Sequence, residues 1–170
     1  MAADLAPIIK QLASQFEAEQ REFRDQHRLL VAPDKIVALC QSLRDEHGFE
    51  MLVGLSAVDY WPQQAPRFHV VYHFLSLAKN LRLEVRVPLE GDSPTLDTVT
   101  GVYPVANWFE RELWDMFGLK INDHPDPRRI LMPEDWEGHP LRKDYPLDYE
   151  EVQFTFNFEE IDLRKPRPKD

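Results

Sequence analysis

The chain has 170 residues, 43% of them hydrophobic, a formal net charge of −10, and 14 prolines against 6 glycines. Such a length suits one domain, or one domain with an arm, burying roughly 70% of its unfolded surface without a covalent staple. The acidic balance argues against nucleic acid as the main partner, and the single cysteine, Cys40, excludes internal disulfides and a self-contained iron–sulfur cluster of the usual ligation.

No apolar run approaches the ~20 residues that span a bilayer. Met1 to Gln20 has neither a basic start with an apolar stretch nor an arginine- and serine-rich bias, so no secretion or import leader is expected. Leu5, Ile8, Ile9, Leu12 and Phe16 recur at helical spacing, which predicts a helix to about Ala18 with Pro7 in its first turn. Arg28 to Val31 is a short strand candidate. A second helix should start near Pro33, bury Ile36, Leu39, Cys40 and Leu43, and stop at Gly48. Cys40 therefore reads as core.

Three strands follow. Met51 to Tyr60 is apolar on both faces, as a central strand would be. From Arg67 to Leu77, Phe68, Val70, Tyr72 and Phe74 share one face; then Leu83, Val85 and Val87 alternate with Arg82, Glu84 and Arg86. Pro62 to Pro66 and Lys79-Asn80 supply turns, which predicts antiparallel pairing. Ser93-Pro94 reads as the cap and first-turn proline of a short helix closed by Gly101, and a further helix should run from about Pro104 to Gly118. Beyond Gly118 regular patterning fades, and five prolines from Pro125 to Pro146 punctuate a long loop. The last residues start acidic and end Arg164-Lys165-Pro166-Arg167-Pro168-Lys169, an extended tail. The expected fold class is α+β: N-terminal helices on a small, mainly antiparallel sheet of about four strands, then short helices and an extended proline-rich C-terminal arm. The expected division is an α+β domain over 1–118 and a docking loop and tail over 119–170.

Residues 105 to 117 carry the sharpest chemical signal. On a wheel of about 100° per residue, Val105, Trp108, Phe109, Leu113 and Met116 form one apolar stripe with Glu112 in its middle, while Trp114 stands opposite beside Asn107 and Arg111. A carboxylate under such a stripe needs a paired partner. Arg128-Arg129 and Arg142-Lys143 are the candidates, and a structural ion pair is expected ahead of a proton-handling acid. Trp114 is either covered by this chain's own loop or buried in a partner, and Trp136 poses the same question. His69 and His73 share a solvated strand face. His124, Asp126, His139 and Asp144 match no metal-ligand spacing and each lies within two residues of a proline, so anchoring of the loop is expected and a stand-alone metalloenzyme is the alternative. No glycine-rich phosphate loop or nucleophile motif occurs.

The run Ala106-Asn107-Trp108-Phe109-Glu110-Arg111-Glu112-Leu113-Trp114-Asp115-Met116-Phe117-Gly118 closely resembles the signature of the C subunit, the thirty-kilodalton subunit family of respiratory complex I, an NADH:quinone oxidoreductase. The resemblance continues through His124-Pro125-Asp126 and from Arg128 to Leu147, including Trp136, His139, Arg142, Lys143 and Asp144, with weaker similarity over Val58-Asp59-Tyr60 and Arg67 to Val87. Asp123 stands where the family usually has glycine, and Pro127 where it usually has leucine; both residues are compatible with turns.

The resemblance implies a structural, non-catalytic subunit of the hydrophilic arm. The assembly would move electrons from NADH through FMN and iron–sulfur clusters to quinone, coupled to proton translocation. No cofactor is implied in this chain; FMN and clusters belong to partner subunits. The implied partners are other complex I subunits, chiefly the D and B subunits, with no nucleic acid and no membrane span, on the cytoplasmic side of the bacterial inner membrane. Arg111 and Trp114 would be partner-facing anchors. Glu110, Arg128, Arg129, Arg142, Lys143 and Asp144 would fix the loop by charge-assisted hydrogen bonds, with Glu112, Asp115, His124, Trp136 and His139 as further motif residues. An equivalent subunit of a membrane-bound hydrogenase or ferredoxin-driven complex is the related alternative.

Overall fold

The computed structural model describes residues 5–24, 26–146, 159, 160 and 163. The expected tail beyond residue 146 otherwise lies outside them. Helix α1, Ala6–Phe16, buries Ile9, Leu12 and Phe16, and stops because Glu17 turns left-handed at φ 51°. Strands β1, Glu19–Phe23, and β2, Gln26–Leu30, pair antiparallel. Pro33–Lys35 forms a single 3₁₀ turn that leads into α2, Ile36–Asp45, whose buried stripe contains Ile36, Leu39, Cys40 and Leu43.

Strands β3, Met51–Asp59, β4, Phe68–Ser76, and β5, Leu81–Leu89, form an antiparallel meander. The sheet has five strands in the order β1-β2-β5-β4-β3, with β2 parallel to β5. The strand beyond the expected four is β1. All five of its residues are exposed, so no apolar alternation marks it in the sequence. Leu55, Phe68, Val70, Tyr72, Phe74, Val85 and Val87 turn inward, where α1, α2 and the later helix cover them in one continuous core.

The helix expected after Ser93-Pro94 is absent. Residues Thr95–Asp97 form β6, which pairs in parallel with β7, Lys120–Asn122, and the Pro94 carbonyl accepts the Lys120 N–H. Burial of Leu96 and Val99 between these partners decides against the local capping signal. Between β6 and β7 runs α3, Ala106–Phe117, closed by Gly118 at φ 72°. It lies along β3, at the sheet's edge. Residues 123–146 carry no helix or strand, and they fold back onto α3.

Candidate functional site

Helix α3 presents three faces. Ala106, Glu110, Leu113 and Phe117 recur at helical spacing and are buried. Arg111 and Asp115 form a second buried face, covered by the following loop. Val105 and Trp108 point outward, 43% and 58% exposed. The helix is therefore rotated relative to the expected apolar stripe: Glu112 is half-buried and has no ion-pair partner among the described residues. The carboxylates of α3 that leave water are Glu110 and Asp115.

Glu110 faces the segment before α3. Its Oε1 accepts the Val99 N–H at 2.7 Å, and its Oε2 accepts the Thr98 hydroxyl at 2.5 Å. Burial pushes its carboxyl above the usual range, partly offset by these two donors. His124 sits 3.7 Å from the same carboxylate. Its Nδ1 accepts the Asp126 N–H at 3.0 Å, which places the ring proton on Nε2, facing the Asn107 carbonyl at 3.2 Å.

Asp115 organises the loop. Its Oδ2 accepts three successive backbone N–H groups, from Ile130, Leu131 and Met132, at 3.1, 2.7 and 2.9 Å. Its Oδ1 binds Arg129 at 2.6 Å. Burial opposes ionisation of Asp115, but these donors outweigh it and hold the carboxyl below the usual range. Arg129 also donates to the Trp136 and Gly138 carbonyls. Arg111 is buried and donates to the carbonyls of Arg128 and Arg129, both at 3.0 Å. Arg128 itself is exposed and pairs with Asp126.

Arg111 and Trp114, expected to face a partner, are therefore engaged within the chain. The Trp114 ring lies between the Arg129 guanidinium, 5.3 Å from its centroid, and the edge of His139, 6.3 Å away. His139 Nδ1 meets the Asp115 carbonyl at 3.0 Å, and its ring rests against Gly118, where a Cβ would lie 2.6 Å from Cδ2. Trp136 is half-buried, its indole Nε1 enclosed without a hydrogen-bond partner among the described residues. Asp123, at a position where glycine was expected, takes a positive φ of 56°. This is the conformation glycine adopts without strain and aspartate tolerates better than most residues.

The far end of the loop is held elsewhere. Arg142 forks onto Asp144, with both contacts at 3.0 Å, and its Nη1 reaches the Asp92 carbonyl. The Lys143 backbone N–H donates to Asp59 Oδ2 at 2.9 Å. Asp144 also meets Arg67, which is fully buried and bound to Asp59. Arg67, Asp59 and Asp92 were missed as site residues. The available signal was a charged residue flanked by strand residues at each end of the Pro62 to Pro66 turn.

Of the four expected loop residues, His124 and Asp126 meet through a backbone N–H, while His139 is tied to the Asp115 carbonyl and Asp144 to Arg142 and Arg67. Among the described residues, no group of three or more His, Cys, Asp or Glu side chains is placed to hold a metal ion. Chemically, the arrangement clamps a proline-rich loop over α3 through ion pairs and backbone donors.

A family model described as respiratory-chain NADH dehydrogenase, 30 Kd subunit, matches residues 29–151. The C subunit of NADH-quinone oxidoreductase from Roseiflexus sp. (strain RS-1) is 43% identical over 175 residues, covering 100% of each chain. The corresponding C subunit from Geobacter sulfurreducens is 43% identical over 150 residues, 86% of this chain and 92% of its own. Among solved structures, the trypsin-resistant fragment (1–134) of Nqo5 superposes with a TM-score of 0.65 at 27% identity, covering 72% of this chain and 98% of the fragment. A chain of the membrane-bound sulfane sulfur reductase, an archaeal respiratory membrane complex, shares the fold, with a TM-score of 0.72 at 22% identity over 97% of this chain and 95% of its own.

Proposed function

Because the chain belongs to the family of the 30-kilodalton subunit of respiratory-chain NADH dehydrogenase, we propose that it serves NADH-quinone oxidoreductase as a structural subunit without a reaction centre of its own. It is a subunit of the hydrophilic arm of complex I, and electron transfer belongs to the complex as a whole. The observation that carries the structural reading is the internal commitment of the motif's polar side chains. Asp115 holds three N–H groups and Arg129, Arg111 holds two carbonyls, and Glu110 pins Thr98 and Val99. Such groups shape a surface; they do not await a substrate.

Flavin and iron–sulfur clusters then reside in other subunits. Cys40, the one cysteine, is buried in the core, and burial lifts its thiol far above the usual range, away from the thiolate that a cluster needs. The neighbours in this reading are the D and B subunits, and the location is the cytoplasmic face of the inner membrane. No helix among the described residues is long and apolar enough to cross a membrane.

The test is purification of the complex through a tag on this chain, followed by cross-link mapping and flavin and iron analysis of the separated chain. Cross-links to the D and B subunits, with flavin and iron in other subunits, are expected. Stoichiometric flavin or iron in the separated chain, or NADH oxidation by it alone, would remove the reading.

A further inference from the structure

Among the described residues, helices cover one face of the main sheet. The opposite face divides into two halves. On the β3 side it is apolar: Met51, Val53 and Val58 are 41%, 43% and 36% exposed, and no charged residue occurs from Met51 to Val58. A solvated strand face ordinarily alternates to polar residues there. On the β5 and β2 side it is cationic. Arg28 and Arg86 share one carboxylate, with their Nε atoms 3.0 and 2.5 Å from the same Glu84 oxygen. Arg82 is exposed and has no carboxylate partner among the described residues. With three arginines to one acid on β2 and β5, this face is positive on a chain of net charge −10.

Between the two halves the β3 ladder bulges at Leu52/Gly54. The missing side chain of Gly54 leaves a notch beside His73, whose rim includes Val53, Arg82 and Glu84. Alternation is regular through buried Leu52 and exposed Val53, and the bulge then lets Leu55 return to the core.

We propose that this face docks a segment of another subunit of the complex, apolar along one edge and acidic along the other. The proposal rests on the reading that the chain works inside a multi-subunit arm. Apolar contact would supply affinity, and the arginines would supply orientation and rate of encounter. A second copy is a poorer occupant. Face-to-face pairing would oppose arginine to arginine, and docking on another copy's acidic side would be head-to-tail and would not close with two copies. An anionic membrane would attract the arginines but repel the rest of an acidic chain.

The experiment places a photo-cross-linking residue at position 53, and separately at position 82, in the tagged full chain within the assembled complex. Cross-linked peptides are sequenced. A peptide of a partner subunit combining Asp or Glu with apolar residues is the expected product. The double variant Val53→Glu, Arg82→Glu should retain about tenfold less co-purified partner than wild type at moderate salt, while Arg82→Lys retains it. Cross-links to a second copy, to lipid, or to nothing while the complex stays intact would overturn the docking face yet leave the structural-subunit reading standing. Failure of the wild-type chain to co-purify any complex would overturn both.

Discussion

The guanidinium of Arg67, which has no solvent-exposed surface, is bound by the carboxylate of Asp59 through two parallel contacts, Nε to Oδ1 at 3.1 Å and Nη2 to Oδ2 at 3.0 Å. The same cation reaches Asp92 at 2.5 Å and Asp144 at 2.8 Å. It lies 4.8 Å from the ring centroids of both Trp61 and Phe68. One desolvated charge thus joins the end of β3, the β5–β6 connection and the far end of the loop. Removing one partner of a buried pair leaves the other uncompensated, at a cost of about 3–5 kcal/mol. Arg67→Ala should lower the urea midpoint accordingly. The double variant Arg67→Met, Asp59→Leu should lose less than Arg67→Ala alone, because no buried charge is then left unpaired. An unchanged midpoint in Arg67→Ala would show that the pair holds nothing.

Asp115 acts on the near end of the loop, and its effect is local. Hydrogen bonds to a charged acceptor contribute about 1.5–3 kcal/mol each and do not add fully. Asp115→Ala is therefore expected to raise the amide exchange of Ile130, Leu131 and Met132 by about 100-fold, near 3 kcal/mol of local protection. Strands β4 and β5 should keep their protection. Equal loss of protection in the strands would mean that Asp115 supports the whole domain instead.

The α+β class, the meander of β3, β4 and β5, and the helix ending at Gly118 were legible because each carries a clean period or a punctuating glycine. β1 was not, since all five of its residues are exposed and held only by backbone pairing to β2. β6 was masked by a Ser-Pro pair whose capping preference is weaker than burial of Leu96 against its surroundings. In the site, the motif positions were visible but their orientations were not. A wheel centred on the large apolar residues weights Trp108 heavily, whereas the core takes the smaller Ala106 and accepts Glu110 with its hydrogen bonds. Which face a carboxylate occupies depends on donors distant in sequence, and no local pattern records those.

Trp114 and Trp108 should therefore separate in experiment. Trp114 is covered by Arg129 and His139, so Trp114→Ala removes both packing and a cation–π contact, a loss of about 2 kcal/mol in stability. Trp108 is 58% exposed and touches Arg111 on one side, so Trp108→Ala should cost under about 1 kcal/mol. Thermal denaturation of the two variants decides between them. A larger shift for Trp108 would place the loop's anchor on the wrong ring.

Gly118 provides a test of the same clamp through the backbone. Its φ of +72° disfavours any side chain, and a Cβ there would strike His139 at 2.6 Å. Gly118→Ala should cost about 1–2 kcal/mol from the backbone alone, and more from displacing the imidazole. At Gly101 a Cβ would meet nothing within 4 Å and φ is not positive, so Gly101→Ala should be neutral or slightly stabilising. Urea midpoints of the pair give the contrast directly, and equal behaviour would mean that His139 moves aside freely.

The carboxylates of the clamp give two opposite pH signatures. Asp144 is held below its usual range first by Arg142, against the opposing effect of burial, and then by Arg67. For Asp59 and Asp115 burial pulls upward, but arginine and backbone donors prevail and both carboxyls sit low. Stability from these three is complete above the unfolded aspartate value of about 3.9 and is lost as pH falls through their lower folded values. Glu110 runs the other way. Burial raises its carboxyl, so its contribution is complete below the unfolded glutamate value of about 4.3 and is lost as pH rises through the raised folded value. Glu110→Gln keeps an acceptor for the Val99 N–H while removing the charge that Cys40, Tyr72 and their apolar neighbours cannot solvate. Measured by urea titration at several pH values, Glu110→Gln should gain on wild type as pH rises from about 4 to 8. Asp115→Asn should instead lie closest to wild type at the most acidic pH, where the native carboxylate has taken up its proton. A Glu110→Gln difference that stays constant across that range would mean Glu110 ionises in the folded chain as easily as in water.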